Sequence, residues 1–219
     1  MRPRLVVDVV SDIVCPWCYV GVKSYIAARE ALAGEFDILT RYRPYQLNPD
    51  TPREGVDRHE YYRHKFPDAE RLAAARDAIR ANAREAGFDF DPSAPAHLPN
   101  TLKAHQTIAF AARLGLQEET LLAVYRAFWD ELAKIGDERA LIEIGQRVGL
   151  DTAELSAALA SDDDAARIAE DAGSFRRAGV SGVPTFIVGE RTGFSGGMPP
   201  ASIAAALREA ARHNLGAIV

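Results

Sequence analysis

The sequence predicts a mixed α/β fold in three parts: a βαβ unit, a long helical insertion and a closing ββα unit. Three observations predict it. A β-branched run, Val6, Val7, Val9 and Val10, leads straight into Cys15-Pro16-Trp17-Cys18 and a helical stretch. Strand signals then vanish from the middle of the chain, which is rich in Ala, Arg and Glu. They return only at Gly182-Val183-Pro184-Thr185-Phe186.

The first strand runs through the valines. Pro16 suits the first helical position, where its missing N–H costs nothing, so a helix is expected over 16–32, stopping near Gly34. Residues 36–42 alternate as a second strand. Arg43-Pro44-Tyr45-Gln46-Leu47-Asn48-Pro49 ends it, because two prolines forbid a continuing strand. A helical region follows from about residue 57. Within it helices are expected over 68–86, 101–114 and 117–135, ended by Gly87, Gly115 and Gly136, and then over 137–148, 151–160 and 162–177. Asp151-Thr152-Ala153-Glu154 has the spacing of a capping box. Strands at 183–188 and 194–197 and a helix over 199–212 close the chain. Strands at both ends can share one sheet. We therefore expect a core of 1–52 and 179–219, with 53–178 as an all-helical insertion forming a separate layer or lid.

Composition narrows the function. The chain has 219 residues, of which 47% are hydrophobic and 26% charged, enough to bury a core without staples. A net charge of −5, with no basic stripe and interleaved aromatics, argues against nucleic acid. No apolar run suits a membrane span. Arg2 and Arg4 precede Leu5, Val6 and Val7, but Asp8 and Asp12 interrupt that run, so no leader is expected and the placement is cytoplasmic. In a reducing cytosol, a C-x-x-C is more often catalytic than structural.

Cys15 and Cys18 are the only cysteines. A closed metal site takes four ligands, yet there is no second C-x-x-C, and His59, His64, His97, His105 and His213 are scattered; no metal is expected. A staple across two intervening residues removes little unfolded-state entropy. A redox dithiol remains. Cys15 falls at a helix start, where unpaired amides and the dipole favour the thiolate that attacks disulfides. Cys18, one turn later, can resolve a mixed disulfide. Trp17 is either an apolar surface beside the sulfur or a packing residue. Asp12 is either a proton acceptor for Cys18 or, the favoured reading, a helix cap. Asp8 is either a buried carboxylate near the dithiol or a polar strand-edge residue.

C-P-W-C followed at a distance by V-P-T resembles the thioredoxin superfamily, and the helical insertion between the two halves is similar to the DsbA family. Ser11-Asp12-Ile13-Val14-Cys15-Pro16-Trp17-Cys18-Tyr19-Val20-Gly21 resembles its FrnE-like branch. So do 43–50, Asn100-Thr101 with Ala104-His105, 180–186 and 195–199. The resemblance covers nearly the whole chain. It implies a thioredoxin-like fold and a cis Val183–Pro184 bond facing the dithiol. It places Pro16, Trp17, Val183 and Pro184 along a substrate cleft, with Asn100 and His105 on the lid nearby. It implies a protein, peptide or small-molecule thiol or disulfide as partner, no bound cofactor, and glutathione as a candidate thiol. Kappa-class glutathione transferases and 2-hydroxychromene-2-carboxylate isomerases resemble the same fold but carry serine where this chain has Cys15. A glutathione-using isomerase or transferase is thus the second reading. A non-catalytic binding protein with incidental cysteines is the third, and it is disfavoured because a reactive pair without a task invites oxidative damage.

Overall fold

The computed structural model describes residues 2–215. β1 (Arg4–Ser11), α1 (Pro16–Ala31) and β2 (Asp37–Pro44) form the expected βαβ unit, with β1 and β2 parallel from Arg4↔Asp37 to Ser11↔Pro44. β5 (Thr185–Val188) returns antiparallel to β1 with Val10 opposite Thr185, and β6 (Thr192–Ser195) pairs antiparallel to β5. The sheet order is β2-β1-β5-β6. α9 (Pro200–Leu215) closes the described chain and packs on α1. β1 reads as a nearly continuous apolar run because it is flanked by strands on both sides and covered: Leu5, Val7, Val9 and Val10 are all buried.

Between β2 and β5 lie α2 (Arg58–Lys65), α3 (Ala69–Glu85), α4 (Leu102–Ala112), α5 (Gln117–Trp129), α6 (Glu138–Arg147), α7 (Thr152–Ala160) and α8 (Asp162–Arg177). The Asp151 carboxylate caps α7, accepting from the backbone N–H groups of Ala153 and Glu154. Four details correct the sequence reading. The insertion is not all-helical, since β3 (Val56–Asp57) and β4 (His97–Leu98) form a two-residue antiparallel ladder, too short to leave a periodic signal. β2 continues through Pro44, which an edge strand tolerates at its last residue. α5 ends at Trp129 rather than 135, because Leu132 takes a positive φ of 56° and the Ala133 N–H folds back to the Ala127 carbonyl. β6 sits two residues earlier than expected.

The insertion docks on the core through the first turn of α5. Gln117 uses its amide to accept from the Tyr42 N–H (3.2 Å) and donate to the Tyr42 carbonyl (2.9 Å), satisfying backbone groups on the free edge of β2. Arg29 of α1 makes a two-pronged pair with Glu118, at 2.7 and 2.9 Å, and the Tyr42 hydroxyl also donates to Glu118. Burial raises the Glu118 carboxyl, but the Arg29 and Tyr42 hydrogen bonds outweigh it and hold it below its ordinary value. A group depressed in the folded state stabilises at pH above its unfolded value and loses that contribution as pH falls through the folded one. Glu118→Gln should therefore destabilise by about 1–3 kcal/mol at neutral pH. Denaturant titrations across pH should show this gap closing in acid, below the ordinary value of 4.5.

Candidate active site

The dithiol sits where β1 hands over to α1. Cys15 is the N-cap residue of α1 with extended backbone (φ −87°, ψ 113°), and Pro16 occupies the first turn. The Cys15 carbonyl accepts from the N–H groups of Cys18 (3.0 Å) and Tyr19 (3.3 Å), which draws Cys18 one turn inward. Both cysteines are free thiols. Cys15 keeps 6% exposure and Cys18 none. Burial pushes the Cys18 thiol well above its ordinary value, and the adjoining Cys15 adds to the rise.

β5 brings the second half of the site. The Val183–Pro184 peptide is cis, and the Cys15 thiol donates to the Val183 carbonyl at 3.6 Å. Residues separated by 168 positions thus meet at one sulfur. Two glycines permit this closeness. A Cβ on Gly21 of α1 would stand 2.6 Å from Pro184 Cγ, and one on Gly197 would stand 2.7 Å from the Trp17 carbonyl and 2.8 Å from its ring. Trp17 is half-buried under the backbone of that glycine loop, so it is both a packing residue and a surface beside the motif.

Asp12 does not cap α1, whose N-cap residue is Cys15 with no side-chain capping bond. Its carboxylate turns inward instead. Oδ2 accepts from the Leu47 N–H at 2.8 Å, and Oδ1 lies 3.3 Å from His105 Nε2. His105 Nε2 is also 3.0 Å from the Tyr45 carbonyl. A carbonyl only accepts, so Nε2 carries a proton and donates to both oxygens. Asp12 and His105 are buried, at 1% and 4% exposure, and α4 thereby reaches the turn that precedes the dithiol. Asn100 does not. Its amide donates to the Thr51 carbonyl and accepts from Gln46 and the Leu102 N–H. It lines a separate cavity of about 280 Å³ within the insertion, beside Arg53, Lys103 and Gln106. Asp8 pairs with Arg41 at 2.7 and 2.5 Å. Tyr125 and Trp129 of α5, which no sequence pattern singled out, donate to the carbonyls of Asp12 (3.3 Å) and Ile13 (3.0 Å). Among the described residues no cluster of three or more His, Cys, Asp or Glu side chains could hold a metal, and no helix is long and apolar enough to cross a membrane.

A family model described as a DSBA-like thioredoxin domain matches residues 6–208. This chain belongs to the DsbA-like thioredoxin domain family. Its members are oxidoreductases or isomerases. The uncharacterised protein YwbO of Bacillus subtilis is 29% identical over 187 residues, covering 84% of this chain and 86% of its own. The crystal structure of a probable DsbA oxidoreductase from Streptomyces coelicolor superposes with a TM-score of 0.84 at 27% identity, covering 94% of this chain and 89% of that one. Cytosolic disulfide reductase DsbM of Pseudomonas aeruginosa, solved with GSH, shares the fold at a TM-score of 0.63 and 21% identity, covering 94% and 99%.

Two outcomes follow within this DsbA-like site. Iodoacetamide applied to the reduced protein at neutral pH should label Cys15 and spare Cys18, as peptide mapping will read, because only Cys15 reaches solvent and Cys18 is held protonated. Gly21→Ala should destabilise the protein in thermal unfolding even though alanine is the better helix former by about 1 kcal/mol. The added methyl must displace a buried proline ring, and such overpacking costs about 1–3 kcal/mol.

Proposed function

We propose that this chain is a cytoplasmic thiol–disulfide oxidoreductase of the FrnE-like type, with Cys15 as nucleophile and Cys18 as resolving thiol. The observation that carries the reading is the asymmetry of the pair: Cys15 on a helix N-cap keeps 6% exposure, while Cys18 one turn below is fully buried. In the reducing direction the Cys15 thiolate attacks one sulfur of a substrate disulfide. A mixed disulfide forms and one substrate thiolate leaves. Cys18 then gives up its proton and attacks Cys15 Sγ. The Cys15–Cys18 disulfide forms and the second substrate thiolate leaves. Two electrons and two protons pass from enzyme to substrate, and a second dithiol or two molecules of glutathione restore the reduced pair. The reverse sequence oxidises a substrate dithiol.

Pro16, Trp17, Val183 and Pro184 border Cys15 and form the proposed substrate surface. There the Val183 backbone can pair with an extended peptide, as in strand addition. Asp12, buried near Cys18 and bonded to His105, is the proposed proton acceptor for the resolving step. Glutathione is the proposed small thiol partner, and DsbM, which shares the fold, was solved with it. Cys15 itself supplies the thiol that a serine-bearing, glutathione-using isomerase draws from its cosubstrate, and this favours dithiol exchange over that reading.

The experiment is trapping. Cys18→Ser mixed with glutathione disulfide or a peptide disulfide should accumulate a mixed disulfide on Cys15, visible by mass spectrometry. Cys15→Ser should accumulate none. Equal trapping by both variants would show that the sulfurs are not differentiated and would overturn the assignment.

A further inference from the structure

The turn between β1 and α1 leads into the dithiol, with Cys15 at its end, and it is buried without being regular. Asp12, Ile13 and Val14 are exposed by 4% or less. Buried backbone outside helices and sheets must find its hydrogen bonds elsewhere. Within the turn, the Asp12 carbonyl accepts only the Cys15 N–H, at 3.2 Å. Two further bonds to the carbonyls of the turn come from α5. Tyr125 donates its hydroxyl to the Asp12 carbonyl at 3.3 Å, and Trp129 donates its indole N–H to the Ile13 carbonyl at 3.0 Å. Four residues apart, the two side chains share one face of the helix.

Both donors are themselves held. The Trp129 indole stands edge-on to Phe90 and Phe128, with ring centroids 5.4 and 4.9 Å away, and the Arg58 guanidinium lies over it at 5.3 Å. The Tyr125 ring stacks on Tyr19 at 5.1 Å. Tyr19 follows Cys18 directly, so Tyr125 touches the chain on both sides of the motif: its hydroxyl three residues before Cys15, its ring one residue after Cys18. A displaced turn would shift Cys15, its N-cap amides and its approach to Val183 together.

We propose that Tyr125 and Trp129 are positioning residues for the dithiol, through which the insertion holds the Cys15 turn in its reactive geometry. The proposal rests on the dithiol reading above. Its test reads thiol alkylation, which needs only the sulfurs, so it stands or falls separately from turnover.

Tyr125→Phe and Trp129→Phe keep the aromatic packing and remove one donor each. In the otherwise natural protein, the rate of Cys15 alkylation by iodoacetamide is followed against pH, together with thermal unfolding. Each variant should unfold cooperatively, alkylate Cys15 about threefold to tenfold more slowly at neutral pH, the scale of one lost hydrogen bond, and begin to expose Cys18 to label. Val124→Ala, on the same helix and buried but carrying no polar group, should lower the melting temperature and leave the alkylation profile unchanged. Folded Phe variants with the natural profile would overturn the proposal. So would a Val124→Ala profile shifted as far as theirs. So would failure of both Phe variants to fold while Val124→Ala folds, since the bonds would then serve the fold rather than the site.

Discussion

Strand β1 carries the constraint on which everything else depends. It lies between β2, which follows one helix later, and β5, which returns only after the whole insertion. Its pairing with β5 opposes Val10 to Thr185 and so leaves Pro184 beside the end of β1, where the chain turns toward Cys15. Side chains alternate across a sheet, so a slip of one residue would turn Phe186 and Val188 out of the core. It would also carry the proline away from the sulfur. Burial of the β5 face and assembly of the site are the same event.

The insertion joins this arrangement as a structural member rather than a cover. Gln117 and Glu118 grip the edge of β2 and the last turn of α1, while His105 reaches Asp12 through a donor it shares with the Tyr45 carbonyl. These contacts come from α4 and α5, adjacent helices packed on each other. Hydrogen-bonded polar side chains buried against a core rigidify it when every partner is supplied. Here the partners belong to the free edge of β2 and to turns outside any ladder.

Features with local causes were legible in the sequence. The valines of β1, Pro16 at a helix start and the Asp151 cap each act within a few residues of themselves, and the motif pair at 15–18 and 183–184 carried the family. What was not legible depended on distance. Nothing around Tyr125 or Trp129 separates a donor to a remote carbonyl from an ordinary core aromatic. Asp12 looked like a cap because three residues separate it from the helix start, yet the Leu47 N–H and His105 compete for its oxygens and win. The premature end of α5 has no Gly or Pro at 130–135 to announce it. A backward bond to Ala127 makes the stop. Asn100 was expected at the cleft, but its three hydrogen bonds tie it to Gln46, Thr51 and its own helix start.

The complete burial of Cys18 bears on what peroxide would do to the proposed dithiol. Of the two sulfurs only Cys15 keeps any exposure, so an oxidant arriving from solvent would meet it first and form a sulfenic acid. If the pair exchanges disulfides as proposed, the sheltered thiol one turn below would condense with that group, expelling water and closing the disulfide. The pair would then stop at a state that thiols can reverse. Higher oxidation to sulfinic or sulfonic acid requires a second oxidant to reach Cys15 before its neighbour does.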